Sequence, residues 1–93
     1  MQAWTERRAQ PISRAMDWDH ELDALGLLCP LPVLKIRKRL QGLAAGQVIR
    51  VITDDPAALV DVPHFCTEAG HTILAQDEDG FPRTIWQIRK SGD

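Results

Sequence analysis

The feature that most constrains the fold is a run of β-branched residues in the middle of the chain, QVIRVIT at residues 47–53. Such side chains favour extended backbone, and a nearly continuous apolar run is typical of a strand inside a sheet. Segments with helical spacing lie on both sides of the run. We therefore predict a central strand that two helices connect to the rest of a sheet.

The first helical segment precedes this strand. Its apolar stripe ends at Gly42 or Gly46 and consists of Val33, Ile36, Leu40 and Leu43. After the strand, Asp55 as N-cap and Pro56 as first helical residue predict a second helix. The stripe of this second helix consists of Leu59, Val62, Cys66 and Ala69. Because a proline inside a helix removes a backbone hydrogen bond, Pro63 predicts a short turn followed by a second helical piece.

Alternating apolar and polar residues at 20–25, 72–77 and 83–90 indicate three more strands. The last two are joined by a hairpin turn around Asp79 and Gly80. Right-handed crossovers would place both helices on the same side of the sheet. We therefore predict an α+β two-layer sandwich, a βαβαββ fold with a four-stranded mixed sheet and two helices on one face.

Length and composition limit the chain to one small domain, because 93 residues supply only one core and two cysteines are too few for a disulfide scaffold. We predict a flexible tail at residues 1–19, in which Met16 is an alternative start, a domain at 20–90 and a short tail at 91–93. The chain lacks a signal-peptide pattern and a long apolar run. We expect a cytoplasmic protein without membrane association, whose cysteines are free thiols.

The most informative motif is Cys29-Pro30-Leu31-Pro32 at the start of the first helix. With Cys29 as N-cap, the two prolines leave the Leu31 N–H as the main donor directed at the sulfur. The positive end of the helix favours a thiolate, so we predict that the pKa of Cys29 falls from about 8.5 to about 7–8. The alternative is that Cys29 is merely a small residue in a tight turn. Cys66, on the apolar stripe, is predicted to be a buried hydrophobe.

Other polar residues give weaker signals. The spacing of His64, Cys66 and His71 matches no zinc motif, so we predict no metal site, and no motif requires a cofactor. The first helix carries a basic run, Lys35, Arg37, Lys38 and Arg39, which is ordinarily a solvated face. Leu34 projects beside Lys38, however, so this side of the helix is also a candidate docking patch for an acidic partner. The net charge of -2 argues against general nucleic-acid binding.

The chain resembles the TusA/SirA-like family of sulfur-carrier proteins, which share a CPxP motif. The resemblance is carried by LDALGLLCPLPVLKIRK at 22–38, ITDDPAALVDVPHFC at 52–66 and IRK at 88–90. It implies the same βαβαββ fold and a sulfurtransferase that acts as a persulfide carrier in a relay. A cysteine desulfurase or another sulfane-sulfur donor would load the carrier, and a downstream sulfurtransferase would receive the sulfur.

The resemblance also implies roles for individual residues. Cys29 would be the persulfide-forming nucleophile, shaped by Pro30, Leu31 and Pro32, with the Leu31 N–H as donor to the outer sulfur. The candidates for partner docking are Leu34, Lys35, Arg37 and Lys38. Asp55 would remain a helix cap. Some members have a polar or acidic residue where this chain has Leu31, which leaves the identity of the partner open.

Several functions remain open on the sequence alone. Within the family, one branch ends at the 2-thio group of a tRNA wobble uridine, whereas others serve sulfur oxidation or thiosulfate use. A thiol-independent regulatory module could use the basic helix and the open sheet face. RNA binding is a weaker alternative, suggested by the similar strand order in the C-terminal domain of a translation initiation factor. The net charge and the few aromatic residues oppose it.

Overall fold

The computed structural model describes residues 18–92 and has the predicted βαβαββ order. The elements are β1 (His20–Ala24), α1 (Leu31–Gln41), β2 (Val48–Thr53), α2 (Ala58–Ala69), β3 (Thr72–Glu78) and β4 (Thr84–Arg89). Residues 1–17, which include most of the predicted tail and Met16, lie outside the described residues, as does residue 93. No helix within 18–92 is long and apolar enough to cross a membrane.

The four strands form one mixed sheet in the order β1-β2-β4-β3. β1 and β2 are parallel, whereas β4 is antiparallel to both of its neighbours. A parallel pair cannot be closed by a tight turn and needs a crossover, which α1 supplies. The β-branched run therefore occupies the predicted central position, between β1 and β4.

One face of the sheet is buried under both helices. From the sheet, this core takes Leu22, Ala24, Ile49, Val51, Trp86 and Ile88. From the helices and the residues after α1, it takes Ile36, Leu40, Leu43, Ala58, Val62 and Cys66. The predicted stripes are confirmed at their centres, while Val33 and Leu59 are only partly buried and Ala69 is exposed. The two-layer arrangement with both helices on one face is therefore confirmed.

The start and the continuity of α2 differ from the prediction. The helix runs unbroken through Pro63, so the predicted break was wrong. Burial of Val62 and Cys66 on either side offsets the missing hydrogen bond, since most helix stability in proteins comes from tertiary packing. The N-cap is Ala57 rather than Asp55. The Asp55 carbonyl accepts the Ala58 N–H and closes a turn that precedes the helix. The helix therefore begins two residues later than predicted.

Two residues of the predicted tail contact the sheet. The backbone N–H of Asp19 donates to the carbonyl of Val48 at 2.8 Å, and the Asp19 carboxylate accepts the Val48 N–H at the same distance. The guanidinium carbon of Arg50 lies 4.9 Å from the centre of the Trp18 ring, which is a cation–π geometry. Trp18 and Asp19 are therefore attached to the sheet, and the domain limits 20 and 90 remain a prediction.

Removal of the buried Thr53 hydroxyl tests the polar contact inside this core. The Trp86 indole N–H donates to the Thr53 oxygen at 3.0 Å, and both residues are fully buried. Thr53→Val keeps the size of the side chain but leaves the indole N–H without its partner. We expect the free energy of unfolding, measured with urea, to fall by about 1–3 kcal/mol.

The matched control is Thr72→Val, the same substitution at an exposed position of β3. Its expected effect is within about 0.5 kcal/mol. Equal losses in the two variants would show that the Trp86–Thr53 bond contributes nothing specific.

Candidate functional site

Cys29 lies in the loop between β1 and α1, residues 25–30, which we call the thiol loop. Because β1 and β2 are parallel and pair Ala24 with Thr53 at their ends, the thiol loop emerges beside residues 54–57. Two aspartates that directly follow β2 bind its backbone: Asp54 accepts the Gly26 N–H at 2.9 Å, and Asp55 accepts the Cys29 N–H at 2.6 Å. The end of β2 therefore fixes the position of the thiol loop.

Asp55 joins the loops before the two helices. One carboxylate oxygen accepts the Cys29 N–H, and the other accepts the Ala57 N–H at 3.2 Å. The residue is only 8% exposed. Hydrogen bonds to an ionised carboxylate are stronger than neutral ones. Asp55 thus acts as a bridge between the thiol loop and the start of α2, rather than as the predicted helix cap.

The start of α1 also differs from the prediction. The N-cap is Pro30, so Cys29 lies one residue outside the helix. The Leu31 N–H donates to the Leu28 carbonyl at 2.8 Å. This bond closes a turn ahead of the helix and engages the donor that was predicted to face the sulfur. Cys29 as N-cap and the Leu31 N–H as its partner were therefore both wrong. Of the residues predicted to shape the site, Pro30 lines a groove together with Cys29, Leu31 is exposed and Pro32 is buried.

The partner of the sulfur is Asp61, in the first turn of α2. The Cys29 thiol donates to an Asp61 carboxylate oxygen at 2.8 Å. This hydrogen bond raises the pKa of Cys29 above its ordinary value, and desolvation and the negative charges of Asp61 and Asp55 act in the same direction. The predicted lowering of the pKa was wrong, because carboxylates rather than a free helix end surround the sulfur. At neutral pH the resting group is the thiol.

A shallow groove between the two helices opens beside the sulfur, with a volume of about 370 Å³. It is lined by Cys29, Pro30, Val33, Asp61, His64, Phe65 and Glu68. Large apolar side chains are also exposed close to Cys29 in the sequence, with Leu28 68% and Leu31 48% accessible. An exposed thiol with such neighbours is accessible to a partner protein, since exposed apolar patches commonly mark interaction surfaces.

The basic residues of α1 divide between two surfaces. A second groove, which we call the basic groove, is lined by Leu22, Leu31, Leu34, Lys35, Lys38, Arg39 and Gly42. The structure thus brings together three of the four candidate docking residues. The fourth, Arg37, lines a separate groove with Phe65 and His71. The basic groove shares Leu31 with the surroundings of the thiol, so one partner could cover both.

The second thiol and His71 lie apart from this chemistry, whereas His64 lines the groove beside Cys29. Cys66 is 2% exposed, and burial raises its pKa to about 11, which confirms the predicted core position. His71 accepts the Ser91 N–H through Nδ1, and desolvation, followed by the charge of Lys90, lowers its pKa. Among residues 18–92, no three His, Cys, Asp or Glu side chains are grouped as a metal site.

Fold and site together define a small two-layer α+β protein with one exposed thiol ahead of its first helix. The chain belongs to the TusA sulfurtransferase family, because the family model described as Sulfurtransferase TusA matches residues 20–90. It is also similar to the crystal structure of a SirA-like protein from Desulfitobacterium hafniense, with 26% identity and a TM-score of 0.69. That match covers 78% of this chain and 99% of the other. The family identified from the sequence is confirmed, and with it a role in carrying or transferring sulfur together with other proteins.

Removal of the Asp55 carboxylate tests the bridge that holds the thiol loop. Asp55→Ala leaves the backbone N–H groups of Cys29 and Ala57 without their side-chain acceptor. We expect the free energy of unfolding to fall by about 1–3 kcal/mol and the Cys29 amide to exchange its hydrogen faster. Urea unfolding and amide hydrogen exchange measure the two effects.

Asp54→Ala is the matched control, since the Asp54 carboxylate accepts the Gly26 N–H of the thiol loop and not the Cys29 N–H. This variant is expected to lower the free energy of unfolding less than Asp55→Ala does and to leave the hydrogen exchange of the Cys29 amide nearly unchanged. If Asp54→Ala accelerates that exchange as much as Asp55→Ala does, the bridge is not specific to Asp55.

Proposed function

We propose that the protein is a cytoplasmic sulfur carrier that receives sulfane sulfur as a persulfide on Cys29 and passes it to a downstream sulfurtransferase. The observation that carries this proposal is the contrast between the two thiols. Cys29 is exposed, whereas Cys66 is buried in the core. A macromolecular donor or acceptor can approach Cys29 without unfolding the domain. Membership in a sulfurtransferase family supplies the chemistry to which such a thiol is suited.

The proposed reaction is an exchange between a thiol and a persulfide. The Cys29 sulfur attacks the outer sulfur of the donor, and the donor cysteine leaves as a thiol. Sulfur is handed on without net oxidation, so neither a metal nor an organic cofactor is needed on the carrier. A cysteine desulfurase, or another protein that holds sulfane sulfur, is the proposed donor.

The surroundings of the sulfur favour a protein as the next acceptor. Asp61 and Glu68 line the groove beside Cys29 and would repel the phosphates of a nucleic acid. Exposed Leu28 and Leu31 suit an apolar protein contact. We therefore propose that sulfur reaches tRNA 2-thiouridine only through a second sulfurtransferase. Sulfur oxidation or thiosulfate use is the alternative pathway, with a different protein acceptor at the same thiol.

The proposal predicts which thiol gains sulfur. Incubation with a cysteine desulfurase and cysteine should add one sulfur atom to the intact protein, as measured by mass spectrometry. Cys29→Ser should abolish the gain. Cys66→Ser is the matched control and should retain it, because a serine inside a helix can donate to the carbonyl one turn earlier and remain satisfied in the core.

Two results would count against a persulfide carrier. Sulfur found on Cys66 alone would assign the chemistry to the wrong thiol. A Cys29→Ser allele that fully replaces the wild type in a deletion strain would favour the thiol-independent regulatory module.

A separate prediction concerns docking at the basic groove. Lys38→Glu reverses one charge on the rim of this groove. If an acidic surface of the desulfurase docks there, the KM for the carrier should rise roughly three- to tenfold at low salt, with kcat nearly unchanged. Steady-state loading kinetics at two ionic strengths measure this effect.

Arg89→Glu makes the same charge change at an exposed position of β4, away from α1, and serves as the control. A comparable rise in KM for both variants would mean that only the net charge of the carrier matters. No rise for Lys38→Glu would exclude the basic groove as the docking surface for this donor.

A further inference from the structure

The Cys29 sulfur has a carboxylate as its nearest polar partner, an arrangement opposite to that of most reactive cysteines. Reactive thiols usually lie beside cations or helix N-termini, which favour the thiolate. Here the sulfur is 2.8 Å from an Asp61 oxygen. The other ionisable groups that face it are Asp55 in the loop before α2 and, along the groove, His64 and Glu68 on α2. From α1, only Pro30 at its cap and Val33 line this groove.

This acidic cluster has no cation paired with it in the part of the chain that the structure describes. The ion pairs between residues 18–92 join Arg50 to Glu21 and Arg83 to Asp79. Neither of them involves Asp55 or Asp61. The basic side chains Lys35, Lys38 and Arg39 line the basic groove, which does not include Asp61. Within the described residues, Asp61 therefore has no ion pair, and its carboxylate accepts a hydrogen bond from the Cys29 thiol.

We propose that Asp61 is a catalytic residue that gates Cys29. In the free carrier its carboxylate holds the thiol proton, and in the complex a lysine or arginine of the docked sulfur donor pairs with Asp61 and releases the thiolate. The inference rests on the proposed function, because it assigns a partner chemistry to the same site. Asp61 is half-buried and in direct contact with the reacting sulfur, so a donor that reaches the sulfur also reaches its carboxylate.

The step balances without an added oxidant or reductant. The Cys29 thiolate attacks the outer sulfur of the donor persulfide, and a new bond forms between Sγ and that sulfur. The bond between the two donor sulfurs breaks, and its electron pair leaves on the inner sulfur as a thiolate. The proton lost by Cys29 neutralises this donor thiolate. One thiol and one persulfide are consumed, and one thiol and one persulfide are formed.

A gate of this kind suits a carrier that must travel between proteins. A thiol that stays protonated reacts slowly with oxidants and with small disulfides, since the thiolate is the reactive form. A cation supplied only by the donor restores reactivity at the place where sulfur is available. Carrier protection and donor recognition would then depend on the same carboxylate.

The test measures how fast Cys29 reacts in Asp61→Asn and in the wild type, with two reagents. Under the proposal, the Asp61 carboxylate slows the reaction with the first reagent, iodoacetamide, and speeds loading by the second, a cysteine desulfurase. Iodoacetamide is small and neutral and reports the ionisation of Cys29 as the pH is varied. With the carboxylate removed, the midpoint of the alkylation profile should move to lower pH. The rate at pH 7 should rise about three- to fourfold for each unit by which the pKa falls. Loading by a cysteine desulfurase with cysteine should instead become slower, because the group that pairs with the donor cation is lost.

Asp77→Asn is the matched control, since it is the same substitution at an exposed position of β3, outside the groove beside Cys29. It should change both rates much less. Thermal unfolding of each variant checks that the domain is intact, and Asp61→Ser provides a second variant that removes the charge. Peptide mapping assigns the modified cysteine.

Each outcome either supports the proposed gate or contradicts it. Faster alkylation with slower loading supports the gate. Faster reaction with both reagents would mean that Asp61 only suppresses the thiol, and slower reaction with both would make it a simple base; either result overturns the proposal, as would no change. If wild-type Cys29 gains no sulfur, the proposed function fails and the donor half of the gate fails with it. The alkylation profiles would then still show whether Asp61 controls the thiol.

Discussion

The parallel pairing of β1 with β2 is the constraint on which the site depends. Parallel strands end at the same edge of a sheet, so the segments that follow them emerge side by side. In this chain the paired ends are Ala24 and Thr53. The thiol loop therefore meets the Asp54–Asp55 segment although the two are more than twenty residues apart in sequence. The crossover that parallel pairing requires is α1, so the same constraint places a helix immediately after the thiol.

A buried side-chain hydrogen bond connects this edge of the sheet to the core. Thr53 is the last residue of β2 and accepts the Trp86 indole N–H from β4. Asp54 and Asp55 follow Thr53 directly and bind Gly26 and Cys29. A chain of contacts thus runs from the fully buried Trp86 to the backbone of Cys29. The exposed loop is thus attached to the end of a central strand, as is common for functional loops on stable scaffolds.

The sequence predicted what depends on periodicity and missed what depends on distant contacts. The elements, the central strand and the burial of Cys66 followed from local patterns, and the exposed thiol followed from the CPxP motif. The continuity of α2 through Pro63 could not be predicted from the sequence, because the packing of Val62 and Cys66 in the core outweighs the backbone hydrogen bond that a proline inside a helix removes. Asp61 was missed because it lies 32 residues from Cys29. A helical projection would have placed it one turn after the helix start, but only the parallel register brings that turn to the thiol.

The distribution of charge around α1 favours one orientation of a docked partner. The side that holds the sulfur is acidic through Asp61 and Glu68, and the basic groove lies on another side of the helix. A partner that is complementary to both grooves must present cations to the acidic groove beside Cys29 and carboxylates to the basic groove. Because like charges brought together cost free energy, a partner docked in the reverse orientation would be rejected at both surfaces. In the proposed relay, the carboxylates that raise the pKa of Cys29 would thus also restrict which proteins, and which orientations, can bring sulfur to this thiol.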